Sequence, residues 1–212
     1  MSKEIEKEYI EECVKHFEYL NKTFKYGYMK DGKIETDNWD DFDRCWKYRN
    51  VEQIKKDKCG ICYDYSLVTF KEFETKRDRY TLIPIFFYAR NDLNHDMPTH
   101  TVCFVKPYNV GHLLNQGSVI SVISIESAWE SYKGVIAYNS IDDGVMAYQR
   151  KLESENRVTK TMYLAKFYDP SDKKLFGLSQ IEFEKYVIKN GIDLKDITSN
   201  PIASCLLFGR KM

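Results

Sequence analysis

Residue types capable of chemistry recur at defined spacings in the middle of the chain. Cys59 and Cys62 flank Gly60-Ile61, His100 and Cys103 lie three apart, and Glu126 closes the apolar run VISVISIE. Three chemistries are open to this set: a dithiol–disulfide pair, a zinc site, and a single thiol nucleophile.

A redox pair of the C-x-x-C kind needs a strand running into a helix. A helix is plausible after Cys59, but the preceding VEQIKKDK is charged and lacks strand character. Zinc would take Cys59, Cys62, His100 and Cys103 as four tetrahedral ligands. However, Thr101 to Val105 is β-branched and aromatic, and residues three apart on a strand face opposite sides, so His100 and Cys103 are expected to point apart. No metal is expected.

The third reading puts Cys62 on the first turn of a helix, where unpaired N–H groups and partial positive charge suit an anion. A thiol nucleophile needs an imidazole, and the imidazole needs an orienting acceptor. His100, at a strand start in PTHTVCFV, and Glu126, at the end of the next strand, can supply them if the strands are antiparallel neighbours. Taken singly, a buried Cys, a loop His and a solvated Glu would each be unremarkable. In the order Cys, His, carboxylate they form a candidate triad. His16 falls in a charged helix, and His95 and His112 in polar loops. Asp64 suits the helix's first turn.

The elements that must position these residues follow from periodicity. Residues 3–20 carry Ile5, Tyr9, Cys13, Phe17 and Leu20 at helical spacing. Asp31-Gly32 marks a hairpin turn, and Asn50-x-x-Gln53 caps a short helix. A longer helix starts at about Gly60 to Cys62. Thr81 to Ala89 is strand-like, with Pro84 arguing for an edge or bulge. His100 to Val105, Val119 to Ile125 and Thr161 to Phe167 read as further strands. Ser140-x-x-Asp143 opens a helix to about Glu155, and Ser179-x-x-Glu182 caps one ending at Gly191. Helices first and then consecutive strands predict an α+β domain with an antiparallel sheet, in one unit over 1–212.

The composition, 43% apolar and 30% charged, is that of a soluble globular domain, and Lys+Arg 32 against Asp+Glu 32 recommends neither nucleic acid nor an anionic membrane as partner. The N-terminus MSKEIEKEYIEE has no apolar signal core, and six scattered cysteines are expected as reduced thiols, so a cytoplasmic location is expected.

The segments Gly60-Ile61-Cys62-Tyr63-Asp64, Pro98-Thr99-His100-Thr101 and Ile125-Glu126-Ser127-Ala128-Trp129-Glu130 together resemble the transglutaminase-like cysteine enzymes of the papain-like fold. Tyr132-Lys133-Gly134-Val135 extends the likeness toward a branch of bacterial and phage proteins, over roughly residues 20–190. The resemblance implies a nucleophile-bearing helix packed on an antiparallel sheet. Cys62 would be the nucleophile, His100 the base and then acid, and Glu126 the orienter, with no cofactor. It further implies acyl transfer on amide bonds of a protein or peptide, most simply hydrolysis by a protease or deamidase. Other outcomes are amine cross-linking, glycan release from asparagine, or an interaction module that keeps the fold without turnover. The family's third residue is more commonly Asp, so Glu126 departs from it. Cys59 is an unusual neighbour whose disulfide with Cys62 would silence the thiol. An upstream donor to the oxyanion is also implied, with Trp39 and Trp46 as candidates, although core packing is the expected role of each.

Overall fold

A computed structural model describes residues 3–90, 98–107, 122–155 and 162–194 of the chain. The chain opens with α1 (Lys3–Thr23), whose Tyr9, Cys13 and Leu20 are buried while its Glu and Lys residues stay outside. Next come β1 (Lys25–Tyr26) and the hairpin β2 (Tyr28–Lys30) and β3 (Lys33–Glu35). Asp31 and Gly32 both take positive φ, 49° and 78°, as the two-residue turn of a tight hairpin demands.

Three short elements lead to the middle of the molecule: α2 (Phe42–Cys45), α3 (Val51–Asp57) and β4 (Cys59–Gly60). Asn50 caps α3 by accepting the Gln53 N–H. The charged stretch before the cysteines is thus helix, and only Cys59–Gly60 is extended, paired in parallel with Lys25–Tyr26. α4 (Cys62–Glu74) is buried along nearly its whole length, every residue from Cys62 to Phe70 being enclosed.

The sheet strands are β5 (Tyr80–Ala89), β6 (His100–Pro107), β7 (Val122–Glu126), β8 (Gly134–Tyr138), β9 (Tyr163–Phe167) and β10 (Ile192–Asp193). They form one antiparallel six-stranded sheet among the described residues, in the order β10-β9-β5-β6-β7-β8. α5 (Ile141–Glu155) and α6 (Gln180–Asn190) complete the fold, the latter opened by a Ser179–Glu182 capping box. The architecture is therefore mixed α+β. No helix among the described residues is long and apolar enough to cross a membrane. The expected loops at 91–97 and 108–118, with His95 and His112, lie outside the described residues.

Two cores sandwich the sheet. One face packs Cys103, Val105, Ile123 and Ile125 against α1, α4 and α6; the other packs Val102, Phe104 and Val122 against Val145, Tyr148 and Leu152 of α5. Alternate residues of each strand thus serve opposite layers. α5 approaches closely because Gly144 faces Phe104: a Cβ there would sit 2.7 Å from the ring.

Pro84 corrects the edge expectation, since β5 is central, between β9 and β6. Its carbonyl accepts the Tyr168 N–H at 3.3 Å, and the nitrogen of a strand residue points the same way as its carbonyl. That side meets Tyr168 just past the last β5–β9 pair, Ile85↔Phe167, so the proline forgoes a single N–H bond at the end of that ladder and its pairing with β6 continues through Pro84↔Cys103.

Candidate active site

Cys62 is the first residue of α4, after the extended N-cap Ile61. An isoleucine cannot cap with its side chain, so the cap is made from within: Asp64, at the third helical position, accepts the Ile61 N–H at 3.0 Å. The same carboxylate oxygen accepts from Arg49 Nη2 at 2.9 Å and from the Trp46 indole N–H at 3.1 Å. Arg49 also reaches Asp57 at 2.7 Å and the Cys59 carbonyl at 3.1 Å. One buried guanidinium thus ties α3, β4 and the start of α4 together, as a bidentate-capable donor can. Gly60 is needed because a Cβ would lie 2.7 Å from the Asp64 Cβ. The close approach it permits is that of the cap.

His100 opens β6 and Glu126 closes β7, and the antiparallel register brings these strand ends together. His100 Nε2 and Glu126 Oε2 are 2.7 Å apart and both side chains are buried. The Cys62 thiol lies close enough to the His100 ring to favour its charged form. With Nε2 engaged by Glu126, Nδ1 is the nitrogen left for the thiol. Burial works against a charged imidazole, but Glu126 and Cys62 outweigh it and push the His100 pKa up to about 10.

Glu126 is fully occupied. Its Oε2 receives His100 and the Tyr148 hydroxyl (3.2 Å), and its Oε1 receives the backbone N–H groups of Ala128 (2.8 Å) and Trp129 (3.0 Å). Four donors match the roughly four lone-pair sites of a carboxylate. Tyr148 further exchanges a hydrogen bond with Ser124 Oγ at 3.1 Å, and its ring stacks on His100. Trp129 flanks the imidazole at 5.0 Å between centroids.

A second set of contacts joins the chain neighbours of the reactive pair. Tyr63, beside Cys62, and Thr99, beside His100, lie within hydrogen-bond distance of each other, and both hydroxyls also approach one Glu184 oxygen of α6, at 2.8 and 2.7 Å, so their two protons are shared among three oxygens.

The three candidate residues therefore meet. The other candidates separate from them. Cys103 points into the α4-side core while His100 stacks on Tyr148 in the opposite layer, and Cys59 Sγ packs 4.0 Å from Arg49 Nη1. Among the described residues, no group of three His, Cys, Asp or Glu side chains is arranged to hold a metal. His16 is buried in α1, bonded to Thr69 Oγ1 at 3.0 Å, and burial lowers its pKa to about 4. Trp46 is committed to Asp64, which removes it as an oxyanion donor. Trp39 stays 37% exposed and packs at a tilt against Tyr26 and Tyr28.

Above the triad lies a cleft of about 170 Å³ that His100 lines together with Tyr26, Pro98, Trp129, Leu152 and Glu155. Cys62 does not line it and is buried, with 5% of its surface exposed. A larger hollow of about 800 Å³, bordered by Arg90, Met146 and Lys166, holds none of the three residues. Size alone is a poor guide here, since of the two hollows only the smaller is lined by one of the three candidate residues, His100. Tyr26 was legible only as part of the wider likeness, and its place follows from pairing with Gly60, two residues before the thiol. Tyr148 and Arg49 gave no functional signal: one sits in an apolar helical stripe, the other in a charged run.

No protein-family model, curated protein or solved structure matches the chain, so any functional reading rests on this geometry.

Proposed function

We propose that the chain is a cysteine-dependent acyl-transfer enzyme of the transglutaminase-like, papain-like class, hydrolysing amide bonds of a protein or peptide. The observation that carries the reading is one imidazole, His100, close to the Cys62 thiol and bonded to a carboxylate whose every lone pair is engaged.

In this mechanism the Cys62 sulfur, its proton held by His100, attacks the amide carbon, forming a C–S bond as the carbonyl electrons move onto oxygen. The Cys62 backbone N–H, unpaired in the first turn of α4, donates to that oxyanion. Tyr26 would be the second donor; in support, it lines the cleft with His100 and pairs with Gly60. Collapse breaks the C–N bond, and His100 gives its proton to the departing amine. The neutral imidazole then takes a proton from water, whose oxygen attacks the thioester. Expulsion of sulfur releases the carboxylic acid and restores the starting pair. Glu126 holds the ring in place throughout and takes no proton. Water is the simplest acceptor, because the sequence carries neither a marked amine site nor the calcium loops of animal transglutaminases.

The test is thiol reactivity joined to turnover. Iodoacetamide should modify Cys62 far faster than Cys45, which is the more exposed thiol, and peptide hydrolysis should vanish in Cys62→Ala. Labelling of Cys62 no faster than Cys45, with no hydrolysis, would instead favour a binding module that keeps the fold.

A further inference from the structure

The cleft beside His100 has a chemical polarity of its own. Its described walls are apolar or aromatic, from Tyr26, Pro98, Trp129 and Leu152, and among the described residues the only carboxylate lining it is Glu155 and no lysine or arginine lines it. At about 170 Å³ it is smaller than the roughly 300 Å³ of a small-molecule site, and suits one long side chain.

Glu155 is fixed where it stands. Its Oε2 accepts the Trp129 indole N–H at 2.8 Å, and its Oε1 is shared by Ser131 Oγ at 2.5 Å and Lys151 Nζ at 2.9 Å. Trp129 in turn touches His100, so the carboxylate is linked through one indole to the reacting imidazole. Lys151 already places its ammonium at this corner, 5.9 Å from the Trp129 ring centroid. The corner therefore tolerates a cation between an indole face and a carboxylate, as a cation–π pair requires. Among the described residues Oε2 has only the indole as partner, which leaves a lone pair for another donor.

Resting on the amide-hydrolysis reading above, we infer that the cleft is a specificity pocket for a basic side chain of the substrate, with its aliphatic stem along Pro98, Leu152 and Trp129 and its charged head at Glu155. Arginine and lysine match that shape, having an apolar stem and a cationic tip. Arginine matches it best, since a planar guanidinium can stack on the indole while donating to the carboxylate.

The experiment compares wild type with Glu155→Gln on one pool of peptides, half carrying arginine and half its uncharged isostere citrulline. The positions are varied on both sides of the bond, and cleaved bonds are read by mass spectrometry. In wild type, arginine at one fixed position should be preferred over citrulline by roughly tenfold, the scale of one charged hydrogen bond. In Glu155→Gln that ratio should fall close to one. Cleavage with no arginine preference, or a preference that survives Glu155→Gln, overturns the pocket assignment and leaves amide hydrolysis standing. No cleavage by wild type overturns the hydrolysis reading itself, and the pocket falls with it.

Discussion

The phenol ring of Tyr148 lies flat against the His100 imidazole, with planes 12° apart and centroids 5.7 Å apart, and its hydroxyl reaches Glu126 beyond. One side chain thus sets both the plane of the base and the position of its acceptor. Tyr148→Phe keeps the stacking and removes the hydroxyl. Stability should fall by about 1 kcal/mol, the net value of one such bond. The kcat for peptide hydrolysis should fall severalfold with KM little changed, because the imidazole loses orientation and substrate contacts stay. Steady-state kinetics beside urea unfolding would separate the two, and an unchanged kcat would remove Tyr148 from the positioning role.

A second expectation concerns pH. The His100 pKa is raised from the ordinary 6.5 to about 10, with burial opposing the shift and Glu126 and Cys62 producing it. A raised folded-state pKa contributes stability that is complete below the unfolded value and is lost as pH climbs through the folded one. Unfolding free energy should therefore decline between about pH 6.5 and about 10. Glu126→Gln removes the main partner and should flatten that decline. It should also move the alkaline limb of kcat/KM to lower pH. Unfolding curves at pH 7 and pH 10 for both proteins check the sign.

Arg49 answers for two carboxylates, Asp57 and Asp64, and lies nearly buried with them. Arg49→Met would strand both charges, and breaking a buried pair from one side costs about 3–5 kcal/mol. The loss should exceed that of Asp64→Asn, which removes a charge but keeps an acceptor for the Ile61 and Trp46 N–H groups. Equal denaturation midpoints for the two variants would contradict the clamp.

Cys59 is fully buried and its sulfur faces Arg49, while burial pushes its thiol pKa up and the guanidinium pulls against that. A protonated, enclosed thiol is a slow partner for disulfide exchange. Cys59→Ser is therefore expected to lose activity in peroxide at the same rate as wild type. Marked protection by the substitution would restore the case for a switch between the two cysteines.

These contacts divide by how far they reach along the chain. The caps at Asn50 and Ser179 and the Asp31-Gly32 turn were readable because each is closed by residues within three positions. Cys62, His100 and Glu126 were readable although distant, since each ends or begins an element whose type is plain from its pattern. Tyr148 was not, because an apolar stripe through Val145, Tyr148 and Leu152 gives no sign of where one hydroxyl will point. Arg49 stands among other charges, and only the tertiary meeting of α3 with α4 reveals which one is buried. β8 escaped notice as five residues of mixed character, stabilised by pairing with β7 from Val122↔Tyr138 to Glu126↔Gly134. Pro84 misled because the rule against central proline concerns one side of a strand at one residue, and that side happens to lie beyond its neighbour's end.

On the proposed acyl-transfer reading, the Tyr63–Thr99–Glu184 contact bears on catalysis. It splices the helix bearing the sulfur to the strand bearing the imidazole through residues that never meet the reacting atoms. Assembly of the two is thereby completed while the chain folds, and an arriving substrate finds them already aligned. Binding energy is then free to hold the amide at attack distance instead of drawing the machinery together.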